Sequence, residues 1–333
     1  MEKTRVAVIG LGGVAQLIHL PNLMKLNSTE VVAVAELNKS RLNAVADKFN
    51  IKERYSDYKE LLDKSNAEAV IIATPTSSHK EIAIASLKAQ KNILVEKPLA
   101  RSFAEAKPVV EAAKRNKKKI MVGMNLRYRP DAMLLKSLIN AGEIGEPIYI
   151  KASWVRRQSS LEKWFTQKAE SGGGVILDLG ILLLDLCLWI LDYSPVQTIS
   201  TQNFSINTKT VEDTSVSFLR GKNSALINIE TSWSLLTEKD LFFVTVHGSK
   251  GSASINPFKV FKKIEDKIIE LNPPKEENPM TLFQKSYYNE LKSFIGAVRG
   301  LNPVLSTGEE GLMRMKVVEG MYKSAKQRAE VKL

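Results

Sequence analysis

The chain of 333 residues holds one cysteine, Cys187, and only three histidines, His19, His79 and His247. A single cysteine cannot close an intramolecular disulfide or build a cysteine-rich metal site. No metal site is therefore expected, and this usage fits a reducing cytoplasm. Cys187 stands in an apolar helical stretch, where a thiol serves as a small core residue rather than a nucleophile. No apolar leader precedes the first strand, so no secretory signal is read. Uninterrupted hydrophobic runs of bilayer length are also missing. Val175–Leu191 (VILDLGILLLDLCLWIL) is short for a span and is broken by Asp178, Gly180 and Asp185, so it reads as a buried helix with no membrane partner. The net charge is +12, yet no zinc finger, aromatic RNA-binding signature or basic stripe accompanies it. Lys117-Lys118-Lys119 beside Arg115 reads as a solvated helix end, and no nucleic-acid partner is expected.

What the sequence does contain is concentrated at its start. Arg5–Ile9 is a β-branched run, followed at once by Gly10-Leu11-Gly12-Gly13-Val14-Ala15, a G-x-G-x-x-A pattern. Gly10 permits a tight turn, Gly12 lets a pyrophosphate approach the backbone, and Ala15 lets the following helix pack on the strand. The N–H groups at the helix start suit phosphates. A second strand, Val31–Ala35, ends in Glu36, whose carboxylate can accept hydrogen bonds from a ribose diol. Glu36 would repel a 2′-phosphate, so NAD is expected over NADP, with Lys39 and Arg41 close enough in sequence to soften that repulsion.

Strands at Arg5–Ile9, Val31–Ala35, Ala69–Ala73, Asn92–Val95 and Ile120–Met124 alternate with helices near Ser40–Phe49, Asp57–Asp63, Ser78–Ala89 and Ser102–Arg115. That alternation predicts a doubly wound parallel sheet. Pro21 is expected to break a helix and Pro108 to kink one. After Pro130 the pattern changes. A helix at Asp131–Asn140, a strand at Ile148–Val155 and a buried helix at Gly174–Leu191 precede five strand candidates: Gln197–Phe204, Thr214–Phe218, Ala225–Trp233, Leu241–His247 and Ser252–Ile255. Consecutive strands imply a mostly antiparallel sheet. An irregular link follows from Asn272 to Pro279, and helices at Thr281–Arg299 and Ser306–Arg328 close the chain. The fold class is thus α/β: an N-terminal Rossmann sheet over 1–124, then an α/β domain over 125–333 with a large, open sheet. Apolar residues on both faces of Ala225–Trp233 call for a cover, and a homo-oligomer would supply one.

Ligands of doubly wound sheets lie at the carboxyl ends of the strands. Two loops stand there, Thr74-Pro75-Thr76-Ser77-Ser78-His79 and Val95-Glu96-Lys97-Pro98, the latter with a proline suited to a cis bond. Lys97 is placed to meet a substrate over a nicotinamide; the alternative is a solvated Glu96-Lys97 loop pair.

The ordered set GLGGVA, His19-Leu20-Pro21, TPTSSH, EKP, Gly123–Tyr128 (GMNLRY), Ala141–Gly145 (AGEIG), Trp164-Phe165 and SGGGVILDLG resembles the glucose–fructose oxidoreductase, inositol dehydrogenase and rhizopine-catabolism (Gfo/Idh/MocA) family along essentially the whole chain. The resemblance implies a Rossmann domain, a C-terminal domain for substrate and oligomer contacts (dimer or tetramer), and NAD(P)-dependent redox chemistry on sugars, polyols and their derivatives. It places Gly10, Gly12, Gly13, Val14, Ala15, Glu36, Thr74, Pro75, His79 and Glu96 at the cofactor, and Lys97 with Asp178 at the reacting centre. It places Arg127, Tyr128 and Trp164 with those two around the substrate. Arg156 and Arg157 are strand neighbours of which one at most faces a site. The family's D-x-x-x-H motif departs here: Asp178 and Gly180 are present, but Leu182 replaces the histidine. Imidazole exchanges protons near neutral pH; leucine cannot. Lys97 alone, Asp178 or a tyrosine such as Tyr128 would have to carry the proton. The alternatives are a redox-neutral NAD-dependent lyase or glycosidase, and a non-catalytic cofactor- or sugar-binding protein.

Overall fold

The computed structural model describes residues 2–271 and 277–333. Its N-terminal half runs β1 (Thr4–Ile9), α1 (Leu20–Lys25), β2 (Thr29–Ala35), α2 (Lys39–Lys48), β3 (Glu53–Tyr55), α3 (Tyr58–Lys64), β4 (Ala69–Ile72), α4 (Thr76–Lys88), β5 (Asn92–Val95), α5 (Phe103–Arg115) and β6 (Ile120–Val122). The strands pair in parallel in the order β3-β2-β1-β4-β5-β6. Central residues such as Val6, Val8, Val70, Ile71, Ile93 and Leu94 are fully buried, as a sheet covered by helices on both faces requires. The expected strands are present. Edge strand β3 escaped the pattern because Glu53-Arg54-Tyr55 has no apolar alternation and is only partly covered.

Pro21 does not break the helix as expected. Ala15–His19 forms a π turn, with the Leu20 N–H bonded to the Ala15 carbonyl five residues back, and α1 continues through Pro21. Proline has no N–H, and its ring crowds the carbonyl four residues earlier. Widening the preceding turn relieves both problems. Pro108 stays inside α5.

The C-terminal half opens with a 3₁₀ turn at Asn125–Tyr128, then α6 (Pro130–Asn140), β7 (Pro147–Val155), a 3₁₀ turn at Lys163–Thr166 and α7 (Lys168–Ser171). A second π turn, Ile176–Gly180, runs into α8 (Ile181–Ile190). There follow β8 (Val196–Phe204), β9 (Thr214–Gly221), β10 (Leu226–Ser232), β11 (Leu241–Gly248), β12 (Gly251–Ile255), β13 (Lys259–Ile264), β14 (Lys267–Leu271), α9 (Pro279–Val298), α10 (Gly308–Gln327) and β15 (Val331–Lys332). The second sheet has the order β14-β13-β12-β11-β7-β10-β9-β8-β15. β7 and β10 pair in parallel, and the other strand pairs are antiparallel. β13 and β14 were missed because their lysine-rich residues are mostly exposed. The link expected from Asn272 lies, over residues 272–276, outside the described residues.

α8 packs on β7 and β10, with every residue except Trp189 buried. Among the described residues, Lys168–Ile190 is the one helical stretch long and apolar enough to cross a bilayer, and 94% of its apolar window is buried inside the protein. Cys187 lies within it, and burial pushes its thiol up, away from reactivity. The sheet face away from α8 carries exposed Phe204, Val216 and Phe218, and Tyr149 stacks with both Phe218 and His247. His247 is therefore a surface residue of this open face.

Compactness divides the chain differently from a single cut after residue 124. The first unit comprises Met1–Met124 with Ala169–Gly172 and Tyr287–Met315; the second comprises Asn125–Lys168, Gly173–Ser286 and Lys316–Leu333. The late segment joins the first unit by extending its sheet edge. Val122 N–H bonds to the Ser306 carbonyl at 2.9 Å, Ser306 Oγ bonds to the Val122 carbonyl at 2.7 Å, and Met121 bridges to Thr307.

Candidate functional site

The glycines of the first loop answer to different demands. Gly10 has φ +88°, and a Cβ there would lie 2.8 Å from the Ala73 backbone and 2.7 Å from Thr74 Cγ2. The fold itself requires glycine at that position. At Gly12 and Gly13 a Cβ would meet nothing within 4 Å. No protein atom explains the absence of a side chain there, whereas a pyrophosphate laid against the backbone does. Val14 and Ala15 lead directly into the π turn. These residues fit a dinucleotide phosphate.

Glu36 has a second task that the motif did not reveal. Its Oε2 accepts the Leu11 N–H at 3.0 Å and its Oε1 the Asn38 N–H at 2.9 Å, so it ties the glycine loop to the start of α2. Arg41 Nη1 lies 3.5 Å from Oε2. Each carboxylate oxygen has a lone pair left for a ribose hydroxyl. The Thr74-Pro75 loop ends β4 and starts α4; Ser78 Oγ donates to Thr74 Oγ1 at 2.8 Å. His79, expected at the cofactor, is 1% exposed. Its Nδ1 lies 2.8 Å from the Pro98 carbonyl and its Nε2 2.9 Å from the Thr74 carbonyl. Burial holds the imidazole below its ordinary pKa, and the neutral ring carries one N–H, so it donates to one of these two carbonyls.

At the end of β5, Glu96 Oε1 lies 2.8 Å from Nε2 of His19, a fully buried residue, and Oε2 accepts the Lys97 backbone N–H at 3.1 Å. Burial pushes the Glu96 carboxyl up, but the His19 hydrogen bond and charge, with the Lys97 charge, outweigh it and hold Glu96 below the usual range. Gly123, leaving β6, packs its Cα against Glu96; a Cβ would stand 3.4 Å from Oε2. Lys97-Pro98 is cis, as the sequence led us to expect.

In the second unit, Asp178 is 3% exposed within its π turn. Its Oδ2 accepts from Ser159 Oγ at 2.8 Å, Ser159 N at 3.3 Å and Trp233 Nε1 at 3.0 Å. Phe165 links Trp233 (centroids 5.6 Å apart) to Trp164 (5.3 Å), so the expected Trp164 and Asp178 do belong to one cluster. Sequence reasoning missed Ser159, Phe165 and Trp233 as members. Trp233 lies one residue beyond β10, and its indole finds Asp178 only through the tertiary fold. The glycines before this turn are crowded by the protein: a Cβ on Gly173 would strike the Tyr322 hydroxyl, and one on Gly174 the Glu212 carbonyl. Glu212 takes the Gly174 and Ile176 N–H groups on Oε1 at 2.9 and 3.0 Å.

Other expected substrate residues are placed differently. Arg127, 3% exposed, gives Nε to Asp185 Oδ2 at 2.7 Å and Nη2 to Oδ1 at 2.6 Å. It also lies over the Tyr193 ring and bonds its hydroxyl. The guanidinium is used inside the protein, so Arg127 is an architectural ion pair. Tyr128 is buried as well. Asp185 serves this separate cluster. β7 ends at Val155, so Arg156 and Arg157 follow the strand instead of lying in it. Leu182 is buried at 6% exposure, an apolar side chain where the motif calls for a proton carrier.

Residues 4–124 match an oxidoreductase family's NAD-binding Rossmann fold, and residues 136–333 match the same family's C-terminal α/β domain. The chain is 25% identical over 353 residues to D-glucoside 3-dehydrogenase of Escherichia coli K12, covering 99% of this chain and 97% of that protein. It is 26% identical over 339 residues to myo-inositol 2-dehydrogenase of Thermotoga maritima, covering 99% and 98%. Its fold superposes on levoglucosan dehydrogenase in complex with NADH with a TM-score of 0.89 at 21% identity, over 99% of each chain. With a glycine loop open to a pyrophosphate, an acid at the end of β2, a lysine at the end of β5 and both domains matched, the chain belongs to the Gfo/Idh/MocA family of NAD-binding oxidoreductases.

Proposed function

We propose that the protein is an NAD-dependent dehydrogenase of a sugar, cyclic polyol or sugar derivative, with Lys97 as its central catalytic residue. The observation that carries this reading is the alignment of strand ends: the glycine loop after β1, Glu36 after β2, Thr74-Pro75 after β4 and Glu96-Lys97 after β5 all stand on one edge of the parallel sheet. The relatives named for glucoside and inositol oxidation support the substrate class. When bound, NAD supplies a hydride acceptor or donor. Lys97 polarises the substrate oxygen and, since Leu182 exchanges no proton, also carries the proton that leaves or reaches it. Asp178, its Oδ2 held by Ser159 and Trp233, orients a substrate hydroxyl. Glu36 favours a free 2′-hydroxyl, so NADH binds more tightly than NADPH. The open sheet face bearing Phe204, Val216 and Phe218 pairs with a second copy of the chain in a homo-oligomer.

The test is titration with NADH and NADPH, followed by a screen of sugars and polyols with wild type and Lys97→Ala. The expected result is tighter NADH binding, with kcat of the variant down by about 10³-fold while NADH affinity holds within a few-fold. Tighter NADPH binding, or full activity in Lys97→Ala, overturns the reading. Turnover without net NADH would favour a redox-neutral lyase. Sedimentation of wild type as a monomer at micromolar concentration would remove the oligomer.

A further inference from the structure

The sequence motif that the function leaves unused is His19. It closes the π turn that Pro21 imposes, so the same local constraint that widens the helix also fixes the imidazole. It is fully buried, with Nε2 2.8 Å from Glu96 Oε1, the Tyr287 ring edge-on at 6.5 Å, and Nδ1 without a hydrogen-bond partner among the described residues. A side chain so enclosed cannot touch substrate, and its one polar contact is the residue before Lys97. The other Glu96 oxygen holds the Lys97 backbone N–H at 3.1 Å.

We propose that His19 is a positioning residue that acts through Glu96, fixing the carboxylate and offsetting its charge so that Lys97 can release and regain a proton. The proposal rests on the assignment of Lys97 above. Its physics is local. A carboxylate beside an ammonium stabilises the protonated lysine, and a donor on that carboxylate draws away part of its negative charge. In this chain the point matters more than in a site with a motif histidine, because Leu182 leaves the lysine to do the proton exchange. The titratable groups coupled to Glu96 are His19 and Lys97, with His79 buried behind the same loop; Tyr287 faces His19 from the late segment of the unit. The low-lying Glu96 carboxyl agrees with a carboxylate that stays ionised through this exchange.

The test needs a readout that does not depend on turnover. Trace acetylation with acetic anhydride across a pH series, followed by mass spectrometry of the peptide carrying Lys97, reports when that amine becomes deprotonated. In His19→Phe the labelling midpoint of Lys97 should move up by about one pH unit, and in His19→Gln, whose amide can still donate to Glu96, it should return toward wild type. Glu96→Gln should move it down, and this opposite sign keeps the proposal testable if His19→Phe fails to fold. With an active substrate, the pH at which kcat rises should follow the labelling midpoint, while NADH affinity of the His19 variants stays within about three-fold, well under the tenfold that corresponds to 1.4 kcal/mol. An unmoved midpoint in His19→Phe and Glu96→Gln overturns the proposal, as does a midpoint shift that His19→Gln fails to reverse. A wild-type protein that labels as expected but turns over no sugar or polyol would refute the dehydrogenase reading and leave the His19–Glu96–Lys97 coupling standing.

Discussion

Among the described residues each compact unit contains one π turn beside a buried carboxylate, and the two are built by different means. In the first unit the turn Ala15–His19 has a local cause, Pro21, and delivers His19 to Glu96. In the second unit the turn Ile176–Gly180 contains no proline. Its leading N–H groups are taken by Glu212, and its aspartate is held by Ser159 and Trp233. The first turn has its cause in neighbouring residues, although it reaches a carboxylate 77 residues away; the second is assembled from four separate segments. Local chemistry therefore dictates the turn of the first unit, whereas tertiary packing dictates that of the second.

The largest test of that contrast is Arg127→Met. In the second unit it removes the bidentate partner of the buried Asp185 carboxylate, to which the Tyr193 hydroxyl also donates. Urea unfolding should show a loss of about 3–5 kcal/mol. A loss under 1 kcal/mol would mean that Arg127 is a substrate residue after all. Next in size is a pair of glycine variants in the first unit. Gly10→Ala forces a Cβ at φ +88° against the Ala73 backbone and should cost about 1–3 kcal/mol of stability. Gly12→Ala meets no protein atom and should leave the melting point unchanged while weakening NADH binding by tenfold or more, about 1.4 kcal/mol. Equal destabilisation by both would remove the argument that Gly12 is reserved for a ligand.

The same contrast decides what could be read without coordinates. The glycine loop, Glu36, the cis-proline loop and the alternation of strands were legible because each depends on residues close in sequence. Even there the sequence concealed second roles: Glu36 also holds the Leu11 N–H, and His79 is buried between the carbonyls of two loops. In the second unit Asp178 and Trp164 were singled out only through resemblance. Trp233 and Ser159 carry no local signal, since a tryptophan after a strand and a serine in a loop are ordinary. Arg127 misled for the opposite reason: an arginine beside a Rossmann strand end looks available until Asp185, 58 residues away, is brought against it.

Trp233→Phe probes the second unit more gently. It retains an aromatic ring beside Phe165 and deletes one of the donors on Asp178 Oδ2. We expect kcat/KM to fall about tenfold, equivalent to 1.4 kcal/mol, with NADH affinity unchanged. Unaltered kcat/KM would show that Asp178 is oriented without the indole.

The smallest effect, and the one that sets the two units most directly against each other, is pH. Glu96 and Glu212 are both buried glutamates, yet they shift oppositely from 4.5. Burial raises both. At Glu96 the His19 hydrogen bond and charge reverse the sign, while at Glu212 the backbone N–H groups and the Tyr322 hydroxyl only partly oppose it. A depressed carboxyl contributes stability that is present above its unfolded value and lost as pH falls through its folded one; a raised carboxyl contributes stability at low pH that is lost as pH rises. The stability advantage of wild type over Glu96→Gln should therefore shrink as pH drops below the ordinary glutamate range. Its advantage over Glu212→Gln should shrink as pH climbs from that range toward neutrality. Urea midpoints of the three proteins over a pH series measure both trends. Parallel trends would mean that His19 does not govern Glu96, and the difference between a carboxylate held by a side chain and one held by a helix start would disappear.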